Sequence, residues 1–172
     1  MAYDLSAQAQ IQFLTEDNGA DAPIIVDGTV APSPARPGEY ARLILEVRLQ
    51  KPWYIYSFLS KPEEGPPPQI WISSAAAELL EGRYESRPAD KLDVGSGTRQ
   101  IYHPGPARLF ADIRIRENAR PGTHPVLGKL SFAACDGKIC LPLRSIPFVT
   151  QVLIEDGEPR HPFSAVLPPP SE

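Results

Sequence analysis

Tyr40-Ala41-Arg42-Leu43-Ile44-Leu45-Glu46-Val47-Arg48-Leu49 alternates along its length. Leu43, Leu45, Val47 and Leu49 share one parity, while Arg42, Glu46, Arg48 and Gln50 share the other, with Ile44 as the exception. A period of two commits one face of an extended segment to burial and leaves the other to solvent, which is the mark of a half-buried strand. Leu109-Phe110-Ala111-Asp112-Ile113-Arg114-Ile115-Arg116 repeats the pattern, with Leu109, Ala111, Ile113 and Ile115 inward. Leu43, Leu45, Val47, Leu109, Ile113 and Ile115 are the expected core, because one buried face fixes the register.

Working outward, Ile24 to Val30, Val126 to Ala134 and Ser145 to Ile154 read as further strands. Pro62 to Pro68 is a Pro/Gly/Glu loop that excludes regular structure. Ser74-Ala75-Ala76-Ala77-Glu78-Leu79-Leu80-Glu81-Gly82 has a Ser cap and a terminal Gly, and is expected to form a helix of two turns. Seven to nine short strands, with turn signals every 8–12 residues, predict an all-β antiparallel sandwich. Composition agrees. The chain has 21 prolines in 172 residues, and each one removes an amide donor and fixes φ. That excludes a helical bundle.

A length of 172 residues fits one domain with tails. With 42 % apolar residues, 22 % charged residues and a net charge of -4, the chain is neither a disordered acidic tail nor a basic nucleic-acid binder. No apolar run approaches the length of a membrane span. Met1-Ala2-Tyr3-Asp4 lacks a secretory signal's basic and apolar regions. The chain is then either cytoplasmic or a mature segment excised from a longer protein, and the stiff Leu167-Pro168-Pro169-Pro170 end favours excision. The expected division is an N-terminal tail or edge strand over 1–21, the domain over 22–156 and a Pro-rich linker over 157–172.

His103, His124 and His161 each precede a proline, match no metal-ligand spacing and read as turn residues. Gly95-Ser96-Gly97 lacks the lysine and helix start of a phosphate loop. Trp53 and Trp71 are expected to pack in the body of the domain, and no metal site is expected. Tyr54 and Tyr56, at alternate positions, face one side as core or rim aromatics. Asp90 and Asp93 read as solvated loop charges.

The two cysteines stand apart. Cys135-Asp136-Gly137-Lys138-Ile139-Cys140 lies between two strand-like segments around a strong Asp-Gly turn pair. A hairpin there brings the Cα atoms near the roughly 5.5 Å that a disulfide prefers. Three readings compete: a structural staple, half of a metal site, or a redox-active dithiol. Closing so short a loop removes only about 2 kcal/mol of unfolded-state entropy, against nearly 5 for a 100-residue loop. Spacing alone leaves all three open.

The wider context adds a resemblance. Phe132-Ala133-Ala134-Cys135-Asp136-Gly137-Lys138-Ile139-Cys140-Leu141-Pro142 resembles the dithiol segment of the N-terminal periplasmic domain of the thiol:disulfide interchange protein DsbD and its relatives. Trp53-Tyr54-Ile55-Tyr56-Ser57 looks like that family's aromatic strand start. Gly97-Thr98-Arg99-Gln100-Ile101-Tyr102 is similar to its passage from cap loop to strand. The resemblance implies an immunoglobulin-like sandwich outside the cytoplasm, in the periplasm, acting as a monomeric protein-disulfide reductase domain. Electrons would come from a thioredoxin-like donor fed by a membrane domain beyond this chain. They would pass to oxidised disulfide isomerases or thioredoxin-like acceptors by exchange at Cys135 and Cys140, with no cofactor. The family's exchanging cysteine corresponds to Cys140, with Cys135 resolving. Its cap corresponds to Asp90-Lys91-Leu92-Asp93-Val94-Gly95, where Leu92 or Val94 takes the place of an aromatic. Tyr54, Tyr56, Asp90, Leu92, Asp93 and Val94 are thus the expected surround of the dithiol. The alternative is an immunoglobulin-like binding or adaptor domain whose Cys135–Cys140 bond is inert.

Overall fold

A computed structural model describes residues 24–160. Eleven strands lie among them: β1 (Ile24–Ala31), β2 (Tyr40–Leu49), β3 (Tyr54–Tyr56), β4 (Gln69–Ser73), β5 (Ala77–Glu85), β6 (Ala89–Leu92), β7 (Arg99–His103), β8 (Ala107–Ile115), β9 (Gly122–Phe132), β10 (Ala134–Cys135) and β11 (Arg144–Ile154). They form three sheets, ordered β1-β2-β8-β5, β11-β9-β4 and β10-β3-β7-β6, and every strand pair is antiparallel. The domain is an all-β antiparallel sandwich, as the alternation predicts.

Sequence parity accounts for the core. Leu43, Leu45, Val47, Leu109, Ile113 and Ile115 are each no more than 1 % exposed, and the register pairs Leu43 with Ala111 and Leu45 with Leu109. Ile70, Val126, Leu130, Phe132, Phe148, Val152 and Ile154 of the β11-β9-β4 sheet join them in one cluster. Full burial of such side chains contributes about 1.5–3 kcal/mol each relative to exposure. This common core holds the β1-β2-β8-β5 and β11-β9-β4 sheets face to face.

Three expectations need correction. The Ser74–Gly82 segment is no helix: from Ala77 it is β5, at the edge of the first sheet. Nine residues are too few to stabilise an isolated helix, whereas pairing Ala77 with Ile115 and Leu79 with Ile113 buries β5 against β8. The Ser74 hydroxyl accepts the Ala76 N–H at 3.1 Å and donates to the Pro125 carbonyl at 3.1 Å, so its cap-like bond fixes a turn. Gly82 is no helix terminus but lies within a register shift, where a β-carbon would collide with Asp112 Oδ2. Second, the described residues hold more than nine strands, because β3, β6 and β10 have only two to four residues and show no period. Third, Trp71 does not pack inside: it is 42 % exposed, with the Lys129 ammonium 5.0 Å from its ring centroid. Trp53 does pack against the core.

The expected tail over 1–21 lies outside the described residues, as does the linker beyond 160. Arg160 is described, and it holds Glu39 at 3.0 Å and the Pro34 carbonyl at 3.0 Å.

Candidate functional site

Phe132 and Arg144 form the last paired rung of β9 and β11 before the chain leaves their sheet. Ala134 and Cys135 cross to the third sheet and pair with Ile55 and Tyr54. The chain then reverses. The Asp136 N–H donates to the Ile139 carbonyl at 3.0 Å, and the Leu141 N–H donates to the Ala134 carbonyl at 2.8 Å. Cys140 is thereby set opposite Cys135. Asp136 Oδ1 accepts the Lys138 and Ile139 N–H groups, both at 2.8 Å, and Gly137 supplies the turn's φ of +93°. Those amides, that of Ile139 foremost, hold the Asp136 carboxyl below its usual range. The Asp-Gly pair thus does what the sequence analysis expects of it.

The two sulfurs are bonded, with the Cα atoms 4.0 Å apart. This is closer than the spacing expected above, because the flanking hydrogen bonds make Cys135 and Cys140 a non-hydrogen-bonded pair, the narrow rung of an antiparallel ladder. The two cysteines differ in access. Cys135 is 1 % exposed, whereas Cys140 is exposed. A partner sulfur must approach along the S–S axis, so only Cys140 is open to attack.

Beneath Cys135 is an aromatic floor. Tyr54 and Tyr56, two residues apart, project to the face that Cys135 shares. The Tyr56 hydroxyl is 3.5 Å from Cys135 Sγ. Tyr54 meets the Tyr56 ring edge-on at 6.0 Å and the Tyr102 ring at 4.9 Å. Burial, reinforced by Tyr56, pushes the Tyr54 hydroxyl above its ordinary value. The Tyr56 ring lies so close to Gly65 that any side chain there would collide with it. The Pro/Gly loop therefore supports the floor, and its Gly65 is required by close approach as well as by its φ of +153°.

Of the expected surround, Tyr54 and Tyr56 are brought to the disulfide, but Asp90, Leu92, Asp93 and Val94 are not. Those four lie on the β6–β7 hairpin, and β6 is separated from β10 by β3 and β7. Register explains the separation: Tyr102 pairs with Tyr56, while Arg99, three residues earlier, pairs with Leu92. At about 3.3 Å per residue, the hairpin tip projects roughly 10 Å past Tyr56, away from Tyr54 and the disulfide. Leu92 and Val94 are 60 % and 88 % exposed. Asp90 pairs with Arg99, whose hydrogen bond lowers its carboxyl; Asp93 accepts the Gly95 N–H at 2.9 Å.

Sequence reasoning missed two features. Tyr102 completes the floor, although nothing local marks it. His103 is buried and is no simple turn residue: its Nε2 is 2.7 Å from Glu85 Oε2, which also accepts the Phe58 N–H at 3.2 Å. The other Glu85 oxygen accepts the Ser57 hydroxyl. This joint ties β5 of the first sheet to β3 and β7. It is no nucleophile site, because Ser57 is fully buried and bonded to the carboxylate, not to the imidazole.

No protein-family model matches the sequence, and no curated protein matches it. Solved structures do. The chain is similar to DsbD N-terminal domains. The Neisseria meningitidis domain in its reduced form shares 15 % identity over 81 % of this chain and 93 % of that one, with a TM-score of 0.47. The N-terminal periplasmic domain of ScsB from Proteus mirabilis shares 15 % over 76 % of this chain and 47 % of that one, at 0.48. A complex between the DsbD and PilB N-terminal domains of Neisseria meningitidis matches at 17 %, over 72 % and 80 %, at 0.39. Likeness at this level carries no chemistry, which rests on the site itself.

Proposed function

We propose that this domain is an extracytoplasmic thiol:disulfide interchange module that passes reducing equivalents through Cys135 and Cys140 to oxidised proteins. The observation that carries this reading is the pairing of one exposed and one buried sulfur across a hairpin that its own ladder already holds. A staple there adds only about 2 kcal/mol, which is little reason to keep a bond at an open edge.

In the exchange, a donor thiolate attacks Cys140 Sγ and the Cys135–Cys140 bond breaks. Cys135 leaves as a thiolate and takes up a proton, with the Tyr56 hydroxyl placed to hydrogen-bond it. The donor's second thiolate then attacks its own sulfur in the mixed disulfide and releases Cys140. The donor is oxidised by two electrons and this domain is reduced. Towards an acceptor the steps reverse, with Cys140 attacking and Cys135 resolving. Lys138, two residues from Cys140, favours its thiolate modestly. No group beyond the two sulfurs is required. Thioredoxin-like proteins are the proposed partners, and the DsbD–PilB complex offers a precedent in a protein of similar fold.

Cys135→Ala and Cys140→Ala variants test the roles when each is challenged with a thioredoxin-like protein whose single cysteine is activated as a mixed disulfide. Capture through Cys140 should be faster by about tenfold or more, because only its thiolate is accessible. Equal or faster capture through Cys135 reverses the assignment, and capture by neither leaves an inert staple.

A further inference from the structure

Tyr56 is the last residue of β3, and it pairs with Tyr102 of β7 but not with β10. A three-residue strand held by two rungs on each side has little rigidity of its own. Yet the Tyr56 hydroxyl must stay within reach of Cys135 Sγ, because a hydrogen bond weakens steeply with poor geometry. What fixes it begins one residue further on. Ser57 is fully buried, and its N–H donates to the Ile101 carbonyl at 2.9 Å. Its hydroxyl donates to Glu85 Oε1 and accepts the Leu59 N–H at 2.9 Å. Glu85 Oε2 accepts the Phe58 N–H at 3.2 Å and lies 2.7 Å from Nε2 of His103, the residue after Tyr102. The Glu85 side chain comes from β5 of the first sheet and is only 8 % exposed. It thus grips the chain directly after both of the paired tyrosines.

A second arm runs through the loop. Ser60, also buried, donates its N–H to the Ser57 carbonyl at 3.0 Å and its hydroxyl to the Gly65 carbonyl at 2.7 Å. Gly65 lies against Cε1 and Cζ of Tyr56, the carbon that carries the hydroxyl and its neighbour. The ring is therefore fixed at its root by Ser57 and at its tip by Gly65, and both holds lead back to Glu85. Among the described residues, Tyr56 alone carries a hydrogen bond onward to sulfur.

We infer that Glu85 is a positioning residue for the disulfide exchange: through Ser57 and the Ser60–Gly65 contact it holds the Tyr56 hydroxyl against Cys135. When the S–S bond breaks, Cys135 Sγ keeps its electron pair and meets a donor already in place, so no reorganisation is needed at that moment. A tie that served stability alone has no reason to converge on the residues that follow the two floor tyrosines. The inference rests on the exchange reading above.

Double-mutant cycles with Tyr56→Phe, read as the rate at which dithiothreitol reduces the folded protein, test this. In the wild-type background Tyr56→Phe should slow reduction about tenfold. Ser60→Ala and Glu85→Ala should each slow it about fivefold, and adding Tyr56→Phe to either should then slow it less than about twofold further. Glu85→Gln keeps an oxygen for Phe58 and His103 and offers an amide donor to the Ser57 hydroxyl. It should restore the Tyr56 effect to about tenfold. Ser60→Ala removes a single loop hydrogen bond, so it decides the matter even if Glu85→Ala does not fold. An undiminished Tyr56 effect in Ser60→Ala, or in folded Glu85→Ala, overturns the inference and leaves a structural tie. So does a wild-type protein indifferent to Tyr56→Phe, which leaves nothing to position. A Glu85→Gln protein that behaves like Glu85→Ala assigns the effect to charge and overturns positioning by hydrogen bonds. If dithiothreitol reduces the wild-type protein and a thioredoxin-like protein does not, the exchange reading itself fails, whatever the cycles show.

Discussion

At Tyr56 a hydroxyl lies 3.5 Å from the sulfur that leaves when the disulfide opens. A hydrogen bond to a charged acceptor contributes about 1.5–3 kcal/mol, more than one to a neutral disulfide. Tyr56→Phe should therefore slow reduction by dithiothreitol roughly tenfold, whereas Tyr54→Phe, which removes no bond to sulfur, should change it less than about twofold. Equal rates for the two variants would remove Tyr56 from the mechanism. Asp136 gives a second prediction at this scale. Its folded carboxyl titrates below the ordinary 3.8, because the Ile139 and Lys138 amides favour the charged form. The turn is then fully held above that value and loosens only as the pH falls through the lower folded value. The Lys138 and Ile139 amide resonances should stay put from neutral pH down to about 4 and move below it. A shift centred above 4 would show that the carboxylate does not hold the turn. These residues differ in how legible they were. Asp136-Gly137 and the cysteines announce themselves by type and spacing, and Tyr54 and Tyr56 by alternation. Tyr102 reaches the same floor only by pairing with Tyr56, 46 positions earlier, which no local pattern encodes.

Elements divide along the same line. β2 and β8 were readable because apolar residues recur at every second position of each over eight or more residues, although the second face is itself partly covered and buries the Arg42–Asp112 pair. β5 was not, since its Ala- and Leu-rich start favours helix locally and only the edge of β8 makes it a strand. The hairpin of β6 and β7 was expected over the disulfide, yet the register of two short strands sends it the other way. What joins these elements is the Glu85 carboxylate, which takes hydrogen bonds from Ser57 and Phe58, the two residues after β3, and from His103. Glu85→Ala leaves several buried donors unpaired at about 1–3 kcal/mol each, so urea unfolding of the oxidised protein should show a loss of about 3 kcal/mol or more. Asp90→Ala, which breaks an exposed pair with Arg99, should leave the urea midpoint almost unchanged, because solvent screens such a pair. Comparable losses in both would mean that Glu85 is not the joint between the sheets.

For the whole molecule, the β1-β2-β8-β5 and β11-β9-β4 sheets supply most of a core that contains neither cysteine, and the third sheet displays them at its edge. Opening the bond would give up only about 2 kcal/mol of chain-entropy stabilisation, and the core cluster of Leu45, Leu109, Val126 and Phe132 contains neither cysteine. On the proposed reading, the domain should cycle between disulfide and dithiol without unfolding. A staple would have no use for that property. The reduction potential of the Cys135–Cys140 pair decides between them, measured by equilibrating the protein in glutathione and dithiothreitol buffers and trapping the free thiols. An exchanging pair should lie above about -300 mV, with the reduced protein still folded; a value below about -300 mV, in the range of inert structural bonds, would contradict the assignment.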